Sequence, residues 1–350
     1  MKVLFSGGGT MGSVSPLIAI YQALKNQQPN AEFFWLATKN GPELKFLSEY
    51  NIPTKAIFSG KLRRYFSFQN FFDPLLIFIG FIQSFFFLLK FKPSVVISAG
   101  GFVAVPVTWA AWILRRPSII HQQDIRPGLA NKLLAPFANI ITVTFERSIK
   151  DFAKYSQKTH WVGNPARLEI LQGSKDEAIK NFNLDPNLPT VLVMGGGTGS
   201  LNLNNLVIDN LGEILKFCQV IHITGGRLDK EAQHPRYHAF EFLTADLKHA
   251  YAISDLVVTR AGMSALTEIA ALRKPALVIP IPNSHQEDNA VEFFRNNAIM
   301  MLQEKNLNPS ALAGAIDKLL TDKVGRENLA RNLEKLMPAD PVQRIIKMIL

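Results

Sequence analysis

Two copies of one short pattern constrain this chain more than anything else in it. Val3-Leu4-Phe5-Ser6-Gly7-Gly8-Gly9-Thr10-Met11-Gly12-Ser13 stands near the start, and Val191-Leu192-Val193-Met194-Gly195-Gly196-Gly197-Thr198-Gly199-Ser200 comes past the midpoint. Each is an unbroken apolar run, then a glycine loop, then a helical pattern, around residues 16–20 in one and 203–215 in the other. Such a run reads as a parallel strand buried on both faces, opening a βα unit. Further strand-like runs fall at 32–37, 95–98, 118–121 and 140–143, and at 220–224, 256–259 and 276–280. Helical stretches separate them. The expected class is α/β, with a Rossmann-like parallel sheet in each half. Residues 161–165 hold a glycine and an Asn-Pro turn and read as the linker. This predicts domains over 1–162 and 163–340, with a last helix over 341–350 packing back onto the first.

The chain has 350 residues and a net charge of +10, unevenly spread. Residues 1–165 hold 18 Lys and Arg against 7 Asp and Glu; residues 166–350 hold 20 against 21. An anionic surface or ligand is therefore expected at the first half. The single cysteine, Cys218, excludes a disulfide framework and a cysteine zinc cluster. The apolar opening run breaks at Gly7 and is too short for a signal peptide.

Residues 66–92 say what kind of surface. They hold ten of the 25 Phe, with 16 uncharged residues between Asp73 and Lys90. A spanning helix wants about 20 apolar residues. Leu75, Ile79, Ile82, Phe86 and Leu89 share one helical face, with Lys61, Arg63 and Arg64 before the run and Lys90 and Lys92 after it. Basic residues around an apolar helix suit an interfacial anchor on anionic lipid. A buried core helix is the alternative. The expected partner is a membrane face rather than nucleic acid.

Gly7, Gly9 and Gly12 spell G-x-G-x-x-G, but a dinucleotide site also needs an acid about 20 residues on, and the second strand ends Ala37-Thr38-Lys39-Asn40 without one. The second loop departs from the motif at Ser200 and also lacks the acid. No nicotinamide or flavin cofactor is expected, and no metal. A ribose-binding acid stands elsewhere. After the run 256–259, Gly262 permits a tight turn, Ser264 falls in the first helical turn and Glu268 lies on the same face. That helix start could hold a diphosphate while Glu268 accepts from ribose hydroxyls; a capped helix with a solvated acid is the other reading. Gln286 and Asn289 sit in a polar cluster after 276–280 and can both donate and accept, which suits sugar hydroxyls or an ordinary polar loop.

These motifs occur in an order that resembles the MurG family of peptidoglycan N-acetylglucosaminyltransferases. They include Ser98-Ala99-Gly100-Gly101-Phe102, His121-Gln122-Gln123-Asp124 with Pro127-Gly128-Leu129-Ala130-Asn131-Lys132, Gly163-Asn164-Pro165 with Arg167, both glycine loops, Arg260-x-Gly262-x-Ser264 with Glu268, and His285-Gln286 with Asn289. The resemblance covers nearly the whole chain. It implies a GT-B architecture, two Rossmann-like domains facing across a cleft. It implies transfer of GlcNAc from UDP-GlcNAc to lipid I, giving lipid II, at the cytoplasmic face of the membrane. By carry-over, Arg167, Gly196, Gly197, Thr198 and Gly199 hold the donor diphosphate with Gly262 and Ser264. Glu268 binds ribose, Leu243 packs on uracil, and Gln286 and Asn289 bind the sugar. Gly9, Thr10, Gly12, Ser13, Gly100, Gly101, Asp124 and Asn131 meet the acceptor.

Two positions depart from the family pattern. Ser13 replaces a histidine of the first loop, and Gln122 replaces a glutamate. A serine is no base near neutral pH without an activator. Asp124 and His121 are then the candidates for the base. Two other readings remain open here: a related transferase with another lipid acceptor, and a non-catalytic membrane adaptor of the same fold.

Overall fold

The computed structural model describes residues 1–61, 69–197, 199–230, 232–307 and 309–350. The chain divides into two compact units, Met1–Ala166 with Ala339–Leu350, and Arg167–Pro338. Residues 163–166, expected to open the second domain, belong to the first unit. Asn164 is buried there, its side chain 2.7 Å from the ring of His121.

The first unit holds seven strands: β1 (Lys2–Ser6), β2 (Glu32–Thr38), β3 (Thr54–Ile57), β4 (Val95–Ser98), β5 (Ser118–Gln122), β6 (Ile140–Val143) and β7 (Thr159–Trp161). All pair in parallel, in the order β3-β2-β1-β4-β5-β6-β7. Its α-helices are α1 (Ser15–Gln27), α2 (Glu43–Glu49), α3 (Gln69–Phe91), α4 (Ala104–Ile113) and α5 (Leu129–Leu134). The second unit holds β8 (Thr190–Met194), β9 (Gln219–Ile223), β10 (Tyr237–Phe240), β11 (Leu256–Thr259), β12 (Ala276–Val278) and β13 (Met300–Met301), parallel in the order β10-β9-β8-β11-β12-β13. Its α-helices are α6 (Lys175–Phe182), α7 (Leu201–Asp209), α8 (Leu211–Ile214), α9 (Leu247–Ile253), α10 (Met263–Ala271), α11 (His285–Arg295), α12 (Pro309–Thr321) and α13 (Lys323–Leu336). A last helix, α14 (Pro341–Ile346), returns to the first unit against α1, where Gln27 donates to Gln343 at 2.9 Å.

Central strands are buried at every residue, as β4, β8 and β11 show, because helices cover both sheet faces. Val191, Val193, Val220 and Val258 meet Leu203 and Val207 of α7 in one such core. The helical pattern over 203–215 is two helices, α7 and α8, broken at Asn210, whose amide side chain turns back to the carbonyl of Leu206.

Each sheet reverses its strand order once beside its first strand, between β1 and β4 and between β8 and β11. Open α/β sheets bind ligands outside the carboxyl ends of strands at such a switch point.

Candidate active site

In the second unit, β8 launches the loop 195–200 and the adjacent β11 launches the turn 260–262, for Thr259 pairs with Met194. Gly196 has φ +90°, which only glycine adopts readily, and a Cβ built there would meet nothing. The amides of Gly196 and Gly197 have no hydrogen-bond partner among the described residues. Thr198 lies outside the described residues. Gly199 closes the loop by donating to the carbonyl of Gly196 at 3.1 Å.

Beside this loop, α10 opens on Gly262 without a capping side chain, again with open space where a Cβ would stand. The Ser264 hydroxyl in its first turn is buried and has no hydrogen-bond partner among the described residues. An uncapped helix start offers several N–H groups and a partial positive charge. Beside two unpartnered loop amides and an orphan hydroxyl, it forms a site shaped for an anion.

Arg167 and Glu268 come together, though in a different relation from the expected one. Arg167 donates to Glu268 Oε1 from Nε at 2.9 Å and Nη2 at 2.7 Å, and its Nη1 reaches Glu169 at 3.1 Å. Tyr251 Oη donates to Glu268 Oε2 at 3.1 Å. Arg167 therefore orients one carboxylate and is held by two of them. The Tyr251 phenol stays protonated, its pKa held well above the ordinary value by burial first and by the Glu268 charge second.

Arg260 ties the two loops of this switch point together. It is buried and donates to Ser200 Oγ at 3.0 Å, the carbonyl of Ile279 at 3.0 Å and Glu304 at 2.5 Å.

Of the two expected sugar ligands, Gln286 is half-buried, and its Oε1 faces the amide of Ile281. Asn289 is fully buried and donates to the carbonyl of Ala261 at 3.2 Å. That bond ties α11 to the turn before α10. Leu243 is half-buried, and Phe242 beside it is half exposed.

The first unit has the same switch-point layout, but its glycine loop is occupied by its own protein. Gly8 N–H donates to Ser13 Oγ at 3.1 Å and Gly9 N–H to Glu43 Oε2 at 3.0 Å. Glu43 is fully buried and also accepts from the amide of Thr38 at 2.9 Å and from its hydroxyl. A Cβ at Gly9 would strike Phe102, and one at Gly101 the carbonyl of Gly8. Ser13 is thus a buried staple of the loop, which explains how serine is accommodated there. Thr10 and Gly12 stay on the rim.

His121 is fully buried, with Thr142 Oγ1 2.9 Å from Nδ1 and Asn164 Oδ1 2.7 Å from Nε2. Burial pushes its pKa down to about 4 against the opposing Asn164 bond. With both nitrogens engaged and the ring neutral, it positions its neighbours instead of taking a proton. Gln122 donates to the carbonyls of Asp124 and Arg126 at 2.8 and 3.0 Å, which an ionised glutamate could not do. It also accepts from Asn131 at 2.7 Å, and Asn131 lies against Gly100. Asp124 is half-buried on the turn so formed.

The comparisons with known proteins decide the family. Residues 3–143 match the glycosyltransferase family 28 N-terminal domain, and residues 190–345 its C-terminal domain. The chain is a family 28 glycosyltransferase. A UDP-N-acetylglucosamine--N-acetylmuramyl-(pentapeptide) pyrophosphoryl-undecaprenol N-acetylglucosamine transferase of Lachnospira eligens is 37% identical to it over 99% of this chain and 98% of that protein. The like-named protein of Clostridium botulinum is 37% identical over 100% and 97%. The crystal structure of Acinetobacter baumannii MurG shares the fold, with a TM-score of 0.72 at 22% identity over 99% and 98% of the two chains.

In this family 28 chain the Phe-rich segment forms α3, which presents two different faces. Asp73, Gly80, Ser84 and Leu88 are buried, whereas Phe71, Leu75, Phe78, Ile82, Phe86 and Leu89 form an exposed stripe. The core-helix alternative fails on that stripe. Ile79, placed on the same face by spacing, is only half-buried. By length and composition α3 could cross a membrane from Phe71 to Phe91, yet it packs along α4. Lys61, Lys90 and Lys92 are exposed; Arg63, Arg64, Phe66 and Phe68 lie outside the described residues.

Glu43, Tyr251 and Phe242 escaped the sequence reading. Glu43 and Tyr251 are single residues brought to the site by the fold, with no motif around them. Phe242, next to Leu243, could have been found as an aromatic just past a strand end.

Proposed function

We propose that this chain moves GlcNAc from UDP-GlcNAc to the muramyl sugar of a pentapeptide-bearing pyrophosphoryl-undecaprenol, the reaction in its relatives' names. The observation that carries this is the open switch point of the second unit, where free amides, an uncapped helix and the Ser264 hydroxyl adjoin a buried carboxylate. The diphosphate would lie on Gly196, Gly197, Gly262 and Ser264, with Gly199 closing the loop beneath it. Glu268, oriented by Arg167 and Tyr251, would take the ribose. Leu243 and Phe242 would flank the uracil, and Gln286 the sugar.

Negative charge grows on the leaving diphosphate as the acceptor hydroxyl attacks. Fixed amides and a helix start stabilise that charge without reorganising. Asp124, on the turn held by Gln122, is the proposed base, a role typically worth about 10²–10⁴ in rate. Gly100, Gly101 and Asn131 border the acceptor in the first unit.

The exposed stripe of α3 supports a peripheral seat on the cytoplasmic membrane face. Each large apolar side chain inserted is worth about 1.5–3 kcal/mol, and each nearby basic residue about 1 kcal/mol on anionic lipid.

The purified protein should convert labelled UDP-GlcNAc and the lipid-linked acceptor to a disaccharide product. Donor binding without transfer would refute the reading and favour an adaptor or a different acceptor.

A further inference from the structure

We infer that Arg227 meets the donor diphosphate and supplies the full positive charge that the open glycine loop lacks. This rests on the transferase reading above. Thr224-Gly225-Gly226-Arg227 stands at the carboxyl end of β9, the strand beside β8. Met194 pairs with Ile223, so the loop 195–200 and the turn 224–227 leave the sheet side by side. They touch: a Cβ at Gly199 would strike the carbonyl of Thr224 and crowd the Cα of Gly225.

Gly225 and Gly226 have φ of +67° and +70°, a left-handed pair that suits glycine. This turn uses its own amides. Gly225 donates to the carbonyl of Glu241 at 2.8 Å, Gly226 to Thr224 Oγ1 at 3.4 Å and Arg227 to the carbonyl of Thr224 at 3.4 Å. Its carbonyls are held as well. The buried Asn204 of α7 donates to those of Thr224 at 2.9 Å and Arg227 at 2.6 Å. The amide of Asn204 donates to the carbonyl of Ser200 at 2.9 Å, one turn back along the same helix. One side chain thus fixes the Arg227 backbone against the helix that the glycine loop opens. The turn has no amide left for a ligand, but it has a side chain. Arg227 is exposed and has no side-chain hydrogen-bond or ion-pair partner among the described residues. Glu241 lies against Gly226, and no ion pair joins it to Arg227 there.

The charge balance of the switch point gives that side chain its task. Both buried guanidiniums already carry carboxylates, Arg167 those of Glu268 and Glu169, Arg260 that of Glu304. Three carboxylates face two guanidiniums, so the surplus is negative. Loop amides and a helix start bring only partial positive charge. A diphosphate on Gly196, Gly197 and Ser264 therefore gains most from a cation that no carboxylate has neutralised, and Arg227 is such a cation beside the loop. An arginine fork can take two phosphate oxygens at once. Its contribution grows during transfer. As the bond from the sugar carbon to the phosphate oxygen breaks, the electron pair stays with the diphosphate, whose negative charge rises.

Titration with UDP and with uridine separates the phosphate contact from the rest of the site. Arg227→Gln should weaken UDP binding about tenfold, the worth of one charge-assisted hydrogen bond, and leave uridine binding unchanged. Arg227→Lys should recover most of that loss. With saturating UDP-GlcNAc, kcat should fall in Arg227→Gln. Its melting temperature should match that of the unaltered protein, because the side chain is exposed. Lys230→Gln removes another cation from the same stretch, one already paired with Asp209 at 2.7 Å, and should change none of these readings. Unchanged UDP affinity in Arg227→Gln would overturn the inference. So would an equal loss for uridine, which would make Arg227 a structural part of its turn. An equal loss in Lys230→Gln would also overturn it, by reducing the effect to surface charge. If the unaltered protein binds UDP but transfers no GlcNAc, the transferase reading fails, and the UDP affinities still decide for or against Arg227.

Discussion

The two glycine loops share a sequence pattern and a place in the fold, but they differ in what they have left to offer. In the first unit Gly8 and Gly9 give their N–H groups to Ser13 and Glu43, and Phe102 closes over Gly9. In the second, Gly196 and Gly197 give theirs to no acceptor among the described residues, and a Cβ at Gly196 or Gly262 would meet open space. A glycine loop is an anion cradle only where its amides have not been used internally. A buried carboxylate under the first loop also opposes any anion above it. The first switch point is therefore better suited to the neutral, hydroxyl-rich part of a ligand, and the second to its phosphates.

Removing the carboxylate beside the open loop should have the largest effect. Glu268→Ala strips Arg167 of one of its two carboxylates and Tyr251 of its acceptor, and should destabilise the protein by about 3 kcal/mol, the lower end of the cost of breaking a buried ion pair because Glu169 still partners Arg167. Glu268→Gln should keep more stability and still weaken UDP binding by calorimetry; undiminished affinity would remove the ribose assignment. Glu43→Ala tests the closed loop. It orphans two buried backbone donors and should cost about 2–4 kcal/mol in urea melts. It should lower acceptor turnover and leave UDP affinity intact. A parallel fall in UDP affinity would erase the functional division between the loops.

The third expectation concerns pH. Burial holds both His121 and His222 near pKa 4, His222 in the second unit between Tyr237 Oη at 2.8 Å and Asn204 Oδ1 at 3.0 Å. Unfolded, each would titrate near 6.5, so the unfolded chain binds more protons between those values and stability falls as pH drops from about 6.5 toward 4. Each histidine should remove about 2 kcal/mol by pH 5, read from urea melts at pH 7 and 5. A flat profile would place both rings in contact with water. Gly196→Ala should be the mildest change. The methyl meets no atom, so only the positive φ is strained, at about 1–2 kcal/mol. UDP affinity should fall and acceptor KM stay put; the reverse result would exchange the roles of the two loops.

Much of the fold was legible because a parallel strand covered on both faces is a continuous apolar run, and β1, β4, β8 and β11 all have that form. The sheet edges were not. β3, β7 and β10 read Thr-Lys-Ala-Ile, Thr-His-Trp and Tyr-His-Ala-Phe, mixed and short because one side of each has no partner strand. β13 has two residues. The site divides in a similar way. Gly262, Ser264 and Glu268 lie in one stretch and could be read together. The pairing of Arg167 with Glu268, 101 residues apart, and of Gly9 with Glu43, 34 apart, exists only once the sheets have formed. Side-chain type suggested a ligand contact for Arg167, Asn289 and His121; the fold also gives each of them buried hydrogen-bond partners within the protein, which no stretch of sequence announces.

The return of α14 to the first unit has a consequence for how the protein is made. Val342, Ile345 and Ile346 bury themselves in a unit whose other residues end at Ala166. The ribosome therefore completes the entire second unit before the first receives its final helix. Through that interval the side chains of Val342, Ile345 and Ile346 have no unit to be buried in, and the first unit must hold its fold without them.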